Sequence, residues 1–562
     1  MCSRRCRRCS TIRVERRRRR AWRIGGATVA AVLGLAAIAS AAPETPAVAT
    51  PLSSADGASD REPEEDLGRR IYFAGEGEAG REITAILQGG TELPASALPC
   101  ASCHGEDGRG RPEGGLSPSD ITWPSLTRPY GAQRPSGRLH PPYDTYLVKR
   151  AITMGVDAGG NRLHVAMPRY QLTQAEAAAL IAFLQGLEQR RDPGIGETSL
   201  RLGVLLPPAA AAPGLGEAIR AAVNAASSRA NDAGGLYNRH LELRFLTPPS
   251  APALRRQAVA EFLAQEQVFA LVASFIVGAD AEIADLADEV AVPIIGPYSI
   301  APQTGFPINR QVFYLVTGFA DQGRALVEFA ARQAEPPVRR TVVVEPGEAI
   351  LAEVASAIRD QAAQRGAAPW STMAHVAYPP GRLDAEGLAR QQRDAGVDSV
   401  FFLGSSAEAT ALLAAATELG WTPRVFLLGP LADQAIFDAA GRFPGQLFLA
   451  FPSLPSDTSP RAYANYRALA TLHQLPPEHV ASQLAAFAAF DLLVEALEHT
   501  GRELSRAKLI ASLETFYELP SNFTPALTFG PNRRIGALGA YVVGVDRQAA
   551  RPHSNGPWIP LQ

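Results

Sequence analysis

Cys100-Ala101-Ser102-Cys103-His104 places two thiols three positions apart and an imidazole directly after the second. Outward from this stretch the chain is poor in sulfur: the other cysteines are Cys2, Cys6 and Cys9, and there are four methionines. The N-terminus reads as a targeting segment. Five arginines at 16–20 flank a short apolar run over 24–39, and Ala39-Ser40-Ala41 gives a small-x-small cleavage pattern. An uncleaved membrane anchor is the other reading, although the run is shorter than the ~20 residues of a usual span. Cleavage after Ala41 leaves only Cys100 and Cys103. An exported protein with two cysteines this close has no disulfide framework, so the thiols serve another purpose.

Covalent haem attachment meets that need. Each thiol adds to one vinyl group, and the adjacent histidine sets an imidazole under the iron as proximal ligand. A thioredoxin-like dithiol calls for a strand and then a helix beginning at the pair, and no strand is read before residue 100. A structural zinc site calls for two further ligands at matched spacing, whereas His140 and His164 stand isolated. Gly- and Pro-rich sequence over 105–142 predicts loop wrapped around a bound group. A short helix is expected over 67–73. Thr173-Gln174-Ala175-Glu176 is a capping box, opening a helix with Leu180, Phe183, Leu184 and Leu187 at helical spacing.

Residues 64–190 resemble the small class I c-type cytochromes, in which the distal methionine comes from an extended loop ahead of the C-terminal helix. Met167 holds that place: it lies 63 residues after His104, precedes Pro168, and sits just before the capping box. Met154, His164 and an open sixth position are the alternatives. Gly68 and Tyr72 with Phe183 and Leu184 are similar to the family's crossing-helix contact. The resemblance implies an all-α domain with one covalent haem c, ligated by His104 and Met167 and attached at Cys100 and Cys103. Six-coordinate iron implies single-electron transfer, with a periplasmic donor or acceptor such as a quinoprotein dehydrogenase. Arg109, Arg111 and Trp123 are candidate contacts for the haem propionates.

Beyond a linker at 192–198 the pattern changes. Strands are expected over 201–206, 241–246, 268–273, 292–295, 341–344, 399–403 and 425–428, with helices between, such as 215–231 and 253–265. Short apolar runs alternating with helical stretches mean βαβ units and parallel sheets. Four stretches carry a resemblance: the strand Leu202-Gly203-Val204-Leu205-Leu206, then Asn231-Asp232-Ala233-Gly234-Gly235, Val292-Pro293-Ile294-Ile295-Gly296-Pro297, and Phe529-Gly530-Pro531-Asn532-Arg533-Arg534 before Ala540-Tyr541-Val542-Val543. In order and spacing they resemble the type I periplasmic binding proteins of the branched-chain amino acid and amide transport group. The fold class expected is therefore multidomain: a small all-α cytochrome c domain, then a two-lobed α/β fold of Rossmann-like lobes. The expected boundaries are signal peptide 1–41, flexible leader 42–63, cytochrome 64–191, linker 192–198 and binding module 199–562.

The cleft loops depart from the amino-acid-binding pattern. Ser274-Phe275-Ile276-Val277-Gly278 and Tyr298-Ser299-Ile300 stand where small hydroxyl residues are usual, and Pro346-Gly347-Glu348-Ala349-Ile350 replaces a ligand-stacking tyrosine turn. Phe275, Ile276 and Tyr298 do not satisfy an ammonium and a carboxylate, whose unpaired burial is costly. The expected ligand is small and apolar or aromatic rather than a free amino acid. Ser299, Ser405 and Phe451 are further candidate contacts.

Charge agrees with this reading. Residues 1–41 hold eleven arginines and one acid; 43 basic and 55 acidic residues follow, a net of −12. Nucleic acid is excluded as a partner, because its phosphates repel such a surface. No Walker loop, zinc motif or catalytic-triad signature appears, so the chain is read as an electron-transfer and ligand-binding protein rather than an enzyme. A ligand-responsive redox sensor, or a substrate-binding component serving an ABC permease, is the alternative.

Overall fold

The computed structural model describes residues 64–561 apart from 106, 111–114, 134–136, 188–190, 209–210, 333–336, 367–369, 547 and 554. The targeting segment, the leader and Arg111 lie outside the described residues. What is described falls into two compact units, one of residues up to 196 with 503–508, the other of 197–502 with 509 onward.

The small unit is a helical frame carrying two small sheets. Its elements are α1 (Glu64–Ala74), β1 (Thr84–Ile86), β2 (Glu92–Pro94), α2 (Cys100–His104), α3 (Trp123–Leu126), β3 (Ala132–Gln133), β4 (Leu139–His140), α4 (Thr145–Met154), β5 (Arg169–Tyr170) and α5 (Gln174–Gly186). The capping box at Thr173 and Glu176 is formed in full and starts α5. Asp144 caps α4, accepting from the Leu147 amide at 2.7 Å, and Gly155 ends that helix in the left-handed region. Strands β1, β2 and β5 form an antiparallel sheet. This corrects the sequence reading on one point: β2 does precede the cysteine pair. A three-residue hairpin strand carries too short a period to be read.

Helices α1 and α5 cross where Gly68 has no side chain. A Cβ built there meets the Ala179 carbonyl oxygen at 2.1 Å and Phe183 Cβ at 2.8 Å. Beside this contact Tyr72 and Phe183 lie with ring centroids 5.2 Å apart, and Leu67, Ile71, Leu180 and Leu184 complete the core.

The large unit has two α/β lobes. The first is built from β6 (Ser199–Leu205), α6 (Leu215–Asp232), β7 (His240–Leu246), α7 (Pro252–Gln265), β8 (Ala270–Val272), α8 (Asp280–Glu289), β9 (Ile294–Ile295) and β10 (Val312–Val316). The second holds α9 (Phe319–Arg332), β11 (Thr341–Glu345), α10 (Ala349–Gln364), β12 (Ala374–Ala377), α11 (Ala385–Asp394), β13 (Ser399–Phe402), α12 (Ser406–Glu418), β14 (Arg424–Leu428), α13 (Gln434–Ala440) and β15 (Gln446–Phe451). The chain returns to lobe one through α14 (Pro460–Leu472), α15 (Val480–Thr500), α16 (Arg506–Leu513) and β16 (Ile535–Ala537). It ends in lobe two with β17 (Gly539–Asp546), β18 (Arg551–Pro552) and β19 (Trp558–Pro560).

Lobe one's sheet runs β7-β6-β8-β9-β10-β16, all parallel. In lobe two the parallel strands β12-β11-β13-β14-β15 are closed by antiparallel β17. Strand side chains alternate faces, so β11 sends Val342 and Val344 into one core and Val343 into the other, as β13 does with Val400, Phe402 and Phe401. Three crossings join the lobes, after β10, after β15 and between β16 and β17; the Thr317 hydroxyl donates to the Gly539 carbonyl at 2.8 Å and ties two of them. Helix α15 is long and apolar enough to cross a membrane, with mean hydropathy 1.6, yet Phe487, Phe490, Leu493 and Leu497 are fully buried in the unit.

Filling the α1–α5 contact should be costly. Gly68→Val is expected to lower the unfolding free energy by about 1–3 kcal/mol, the range for overpacking a tight contact. Urea denaturation followed by far-ultraviolet circular dichroism reads it, with Gly305→Ala, where a Cβ meets nothing within 4 Å, as control.

Candidate functional site

Helix α2 starts at Cys100 and ends with Cys103 and His104. The imidazole is buried, and its Nδ1 lies 2.9 Å from the Ser119 carbonyl oxygen. A carbonyl only accepts, so Nδ1 bears the proton and the lone pair is on Nε2. That is the tautomer an axial imidazole needs, oriented by the partner on its other nitrogen. Tyr72 donates from its hydroxyl to the Gly105 carbonyl at 2.6 Å, and Tyr170 to the Leu98 carbonyl at 2.6 Å, bracing the helix at both ends.

The thiols do not have a redox dithiol's electrostatics. Burial pushes the Cys100 thiol up to about 12 against the pull of a backbone amide, with a smaller push from the neighbouring Cys103. Catalytic dithiols have the opposite shift, a depressed value that holds the thiolate. Cys100 is half-buried and Cys103 exposed.

Met167 is half-buried against the core that also receives Cys100, whereas Met154 is 61% exposed and His164 is exposed. The loop leading to Met167 is fixed by Asp157, whose carboxylate is fully buried. Asp157 pairs with Arg138 at 2.9 Å and accepts from the Asn161 amide at 2.8 Å, while Arg150 donates to its carbonyl. Behind Met167, the fully buried Glu176 accepts from Arg81 Nε at 2.9 Å, the Glu78 amide at 3.0 Å and the Thr173 amide at 2.8 Å. Arg109 is about half exposed and sits 3.8 Å from Asp107, and Trp123 packs on the core's edge.

In the large unit the candidate ligand residues divide. Phe275 and Tyr298 come together at the strand ends of lobe one, bridged in parallel and with ring centroids 6.4 Å apart. The Tyr298 hydroxyl donates to the Ser482 carbonyl at 2.5 Å, and Ser299 donates to the buried Asp280. Burial holds the Asp280 carboxyl above its usual range, against the lowering by Ser299 and the Gly278 and Ala301 amides. Ile276 is 1% exposed in lobe one's core, and Phe451 lies in lobe two's core against Gly429. Ser405 caps α12 in a capping box with Glu408.

Sequence reasoning missed Tyr378 and Glu408. Tyr378 follows β12, is 8% exposed, and stacks on Phe402; its hydroxyl faces the Glu408 carboxylate. Burial, then Glu408, Glu345 and Glu348, push the Tyr378 hydroxyl well above the usual range.

Fold and site together define a two-module protein: a haem-type electron-transfer unit ahead of a two-lobed binding unit. Residues 199–550 match the periplasmic binding protein family model and residues 95–188 the cytochrome c model. The chain belongs to the periplasmic binding protein family and carries a cytochrome c domain before it. A fatty acid ABC transporter substrate-binding protein from Thermomonospora curvata is 14% identical with TM-score 0.51, covering 66% of this chain and 95% of that one. A branched-chain amino acid ABC transporter periplasmic ligand-binding protein from Burkholderia xenovorans LB400 is 17% identical with TM-score 0.52, over 64% and 95%. A branched-chain amino acid ABC transporter protein from Thermus thermophilus with bound valine is 16% identical with TM-score 0.50, over 64% and 95%. At these identities the likeness is one of fold. No curated protein matches the sequence.

The lock behind Met167 gives a pH signature. Burial raises the Glu176 carboxyl, but Arg81 and the Thr173 and Glu78 amides outweigh it and hold it below the usual range. A depressed carboxyl stabilises the fold above its unfolded-state pKa, and this is lost as pH falls through the folded value. Glu176→Gln should therefore destabilise the protein at pH 7 and converge with the unaltered protein in acid, as read by denaturation midpoints across pH.

Proposed function

We propose that this chain is an exported single-electron carrier with one haem c, held covalently by Cys100 and Cys103 and ligated by His104 and Met167, joined to a module that binds a small ligand. The observation that carries the redox half is the His104 imidazole, buried, with Nδ1 committed to the Ser119 carbonyl. A haem bound there supplies a one-electron couple, and methionine opposite histidine raises its potential relative to two histidines. The chain's own residues do the rest. Asp157 with Arg138 and Glu176 with Arg81 hold the two ends of the Met167 segment, which keeps the thioether half-buried rather than solvated. The potential that follows suits a carrier between periplasmic proteins, with a quinoprotein dehydrogenase among the donors or acceptors.

For the binding module, Phe275 and Tyr298 favour an apolar or aromatic body in the ligand. The hydroxyls beside them are already committed, Tyr298 to Ser482 and Ser299 to Asp280. A second reading, an amino acid or amide carried for an ABC permease, is favoured by the carboxylates Glu408, Glu345 and Glu348 around Tyr378, which suit an ammonium or amide N–H. Ligand-dependent change in the haem potential would mark the sensor variant of either.

Two measurements test this. The oxidised protein should show the long-wavelength sulfur-to-iron charge-transfer band, lost in Met167→Ala and kept in Met154→Ala; a wild-type spectrum without it rules out methionine ligation. A thermal-shift screen of holo-protein should find a selective ligand, which at a hundred times its dissociation constant adds about 2.7 kcal/mol. An aromatic or apolar hit supports the first reading, leucine or valine the second, and silence across both classes counts against a working cleft.

A further inference from the structure

His140, on β4, is 4% exposed. Its Nδ1 lies 2.9 Å from the Pro141 carbonyl oxygen, which fixes the proton on that nitrogen and leaves the lone pair on Nε2. Nε2 is buried and has no hydrogen-bond partner among the described residues. A buried polar atom left unpaired is costly, so a partner beyond the described residues is expected to meet it.

The surroundings say which group. On one side β4 is fastened to the loop that leads to Met167: the Leu139 carbonyl accepts from Asn161 Nδ2 at 3.1 Å, and Arg138 pairs with Asp157 at 2.9 Å. On the other, the His140 ring meets Tyr143 edge-on at 5.0 Å, and the Tyr143 amide donates to the Leu126 carbonyl at 2.9 Å. Leu126 ends α3, just beyond Ser119, the partner of His104. Tyr143 and Leu126 belong to the core on which Cys100 and Met167 pack. His140 thus stands between the segments that carry the two proposed axial ligands, and a haem's own hydrogen-bonding groups are its two propionates. A carboxylate drawn partly out of water needs such a partner.

We propose that His140 Nε2 binds a haem propionate, with one proton held between the ring nitrogen and the carboxylate oxygen. This rests on haem attachment at Cys100 and Cys103 as read above. Arg138 already faces the Asp157 carboxylate, and Arg109 that of the half-exposed Asp107. The held proton offsets the propionate's charge next to the iron and so favours the ferrous state.

The test uses the full holo-protein. In His140→Phe the midpoint potential should fall and the propionate bending mode in the resonance Raman spectrum should shift, while covalent haem and the charge-transfer band persist. His140→Gln, whose amide can donate, should recover part of both. Unchanged potential and Raman mode in His140→Phe overturn the proposal, as does a fall in potential accompanied by loss of the charge-transfer band, which would place the effect on the methionine. If His140→Phe does not fold, the nitrogen-15 shift of His140 Nε2 in the unaltered reduced protein decides: a nitrogen sharing a proton supports the proposal, and a bare, water-bound or iron-bound one overturns it. Mass spectrometry separates the two readings: a chain without covalent haem removes both, whereas a haem-bearing chain with an unresponsive His140 removes this one alone.

Discussion

At Gly68 the backbone of α5 passes where a Cβ would stand, 2.1 Å from the Ala179 carbonyl oxygen, and the small unit is arranged around that approach. Only with the two helices this close can Tyr72 both stack on Phe183 and reach the Gly105 carbonyl just past His104. The same crossing fixes where α5 begins, and therefore where the Met167 segment must arrive. The thiols and His104 are presented by one turn of helix; the thioether is presented by a loop, and a loop needs buried anchors. Asp157 and Glu176 supply them, each a fully buried carboxylate paired with an arginine. Removing one partner of such a pair leaves a buried charge, which is why these residues constrain the loop more firmly than its few apolar contacts do.

The large unit obeys a different constraint. Its parallel strands are covered on both faces, so β11, β13 and β14 are buried at every position and carry unbroken apolar runs rather than alternating ones. This made most of the fold legible, since short unbroken apolar runs separated by helical stretches have few other readings. Strands β10, β12, β16, β18 and β19 escaped. Strand β12 lies at the sheet edge and is mostly exposed, so Ala374–Ala377 has no apolar period to read. Strand β10 is fully apolar, but no helix separates it from β9, and the alternation that marks each βαβ unit is interrupted there. In the small unit, the hairpin strand β2 and the short β3–β4 pair are too brief to rise above the Gly- and Pro-rich background.

The candidate sites were legible in unequal measure for a physical reason. Attachment chemistry lives in a contiguous motif, so Cys100, Cys103 and His104 could be read directly. The partner of His104 is a backbone carbonyl, at Ser119, to which side-chain identity gives no clue. In the cleft, residue type predicted position poorly: Phe275 and Tyr298 do meet, but Ile276 and Phe451 are drawn into the lobe cores that their size helps to fill. Ser405, read as a possible hydroxyl donor, spends its side chain on the start of α12. Tyr378 was hidden by its neighbours, since it follows the unreadable edge strand and precedes Pro379 and Pro380.

How the polar groups are paired separates the roles of the two lobes. Lobe one satisfies its own hydroxyls, Tyr298 on Ser482 and Ser299 on Asp280, and so offers chiefly ring surface. Lobe two sets the Tyr378 hydroxyl against Glu408, and the charges around that hydroxyl, Glu408, Glu345 and Glu348, are all negative. On the reading proposed above, a ligand therefore presents an apolar face to lobe one and an N–H to the carboxylates around Tyr378 in lobe two.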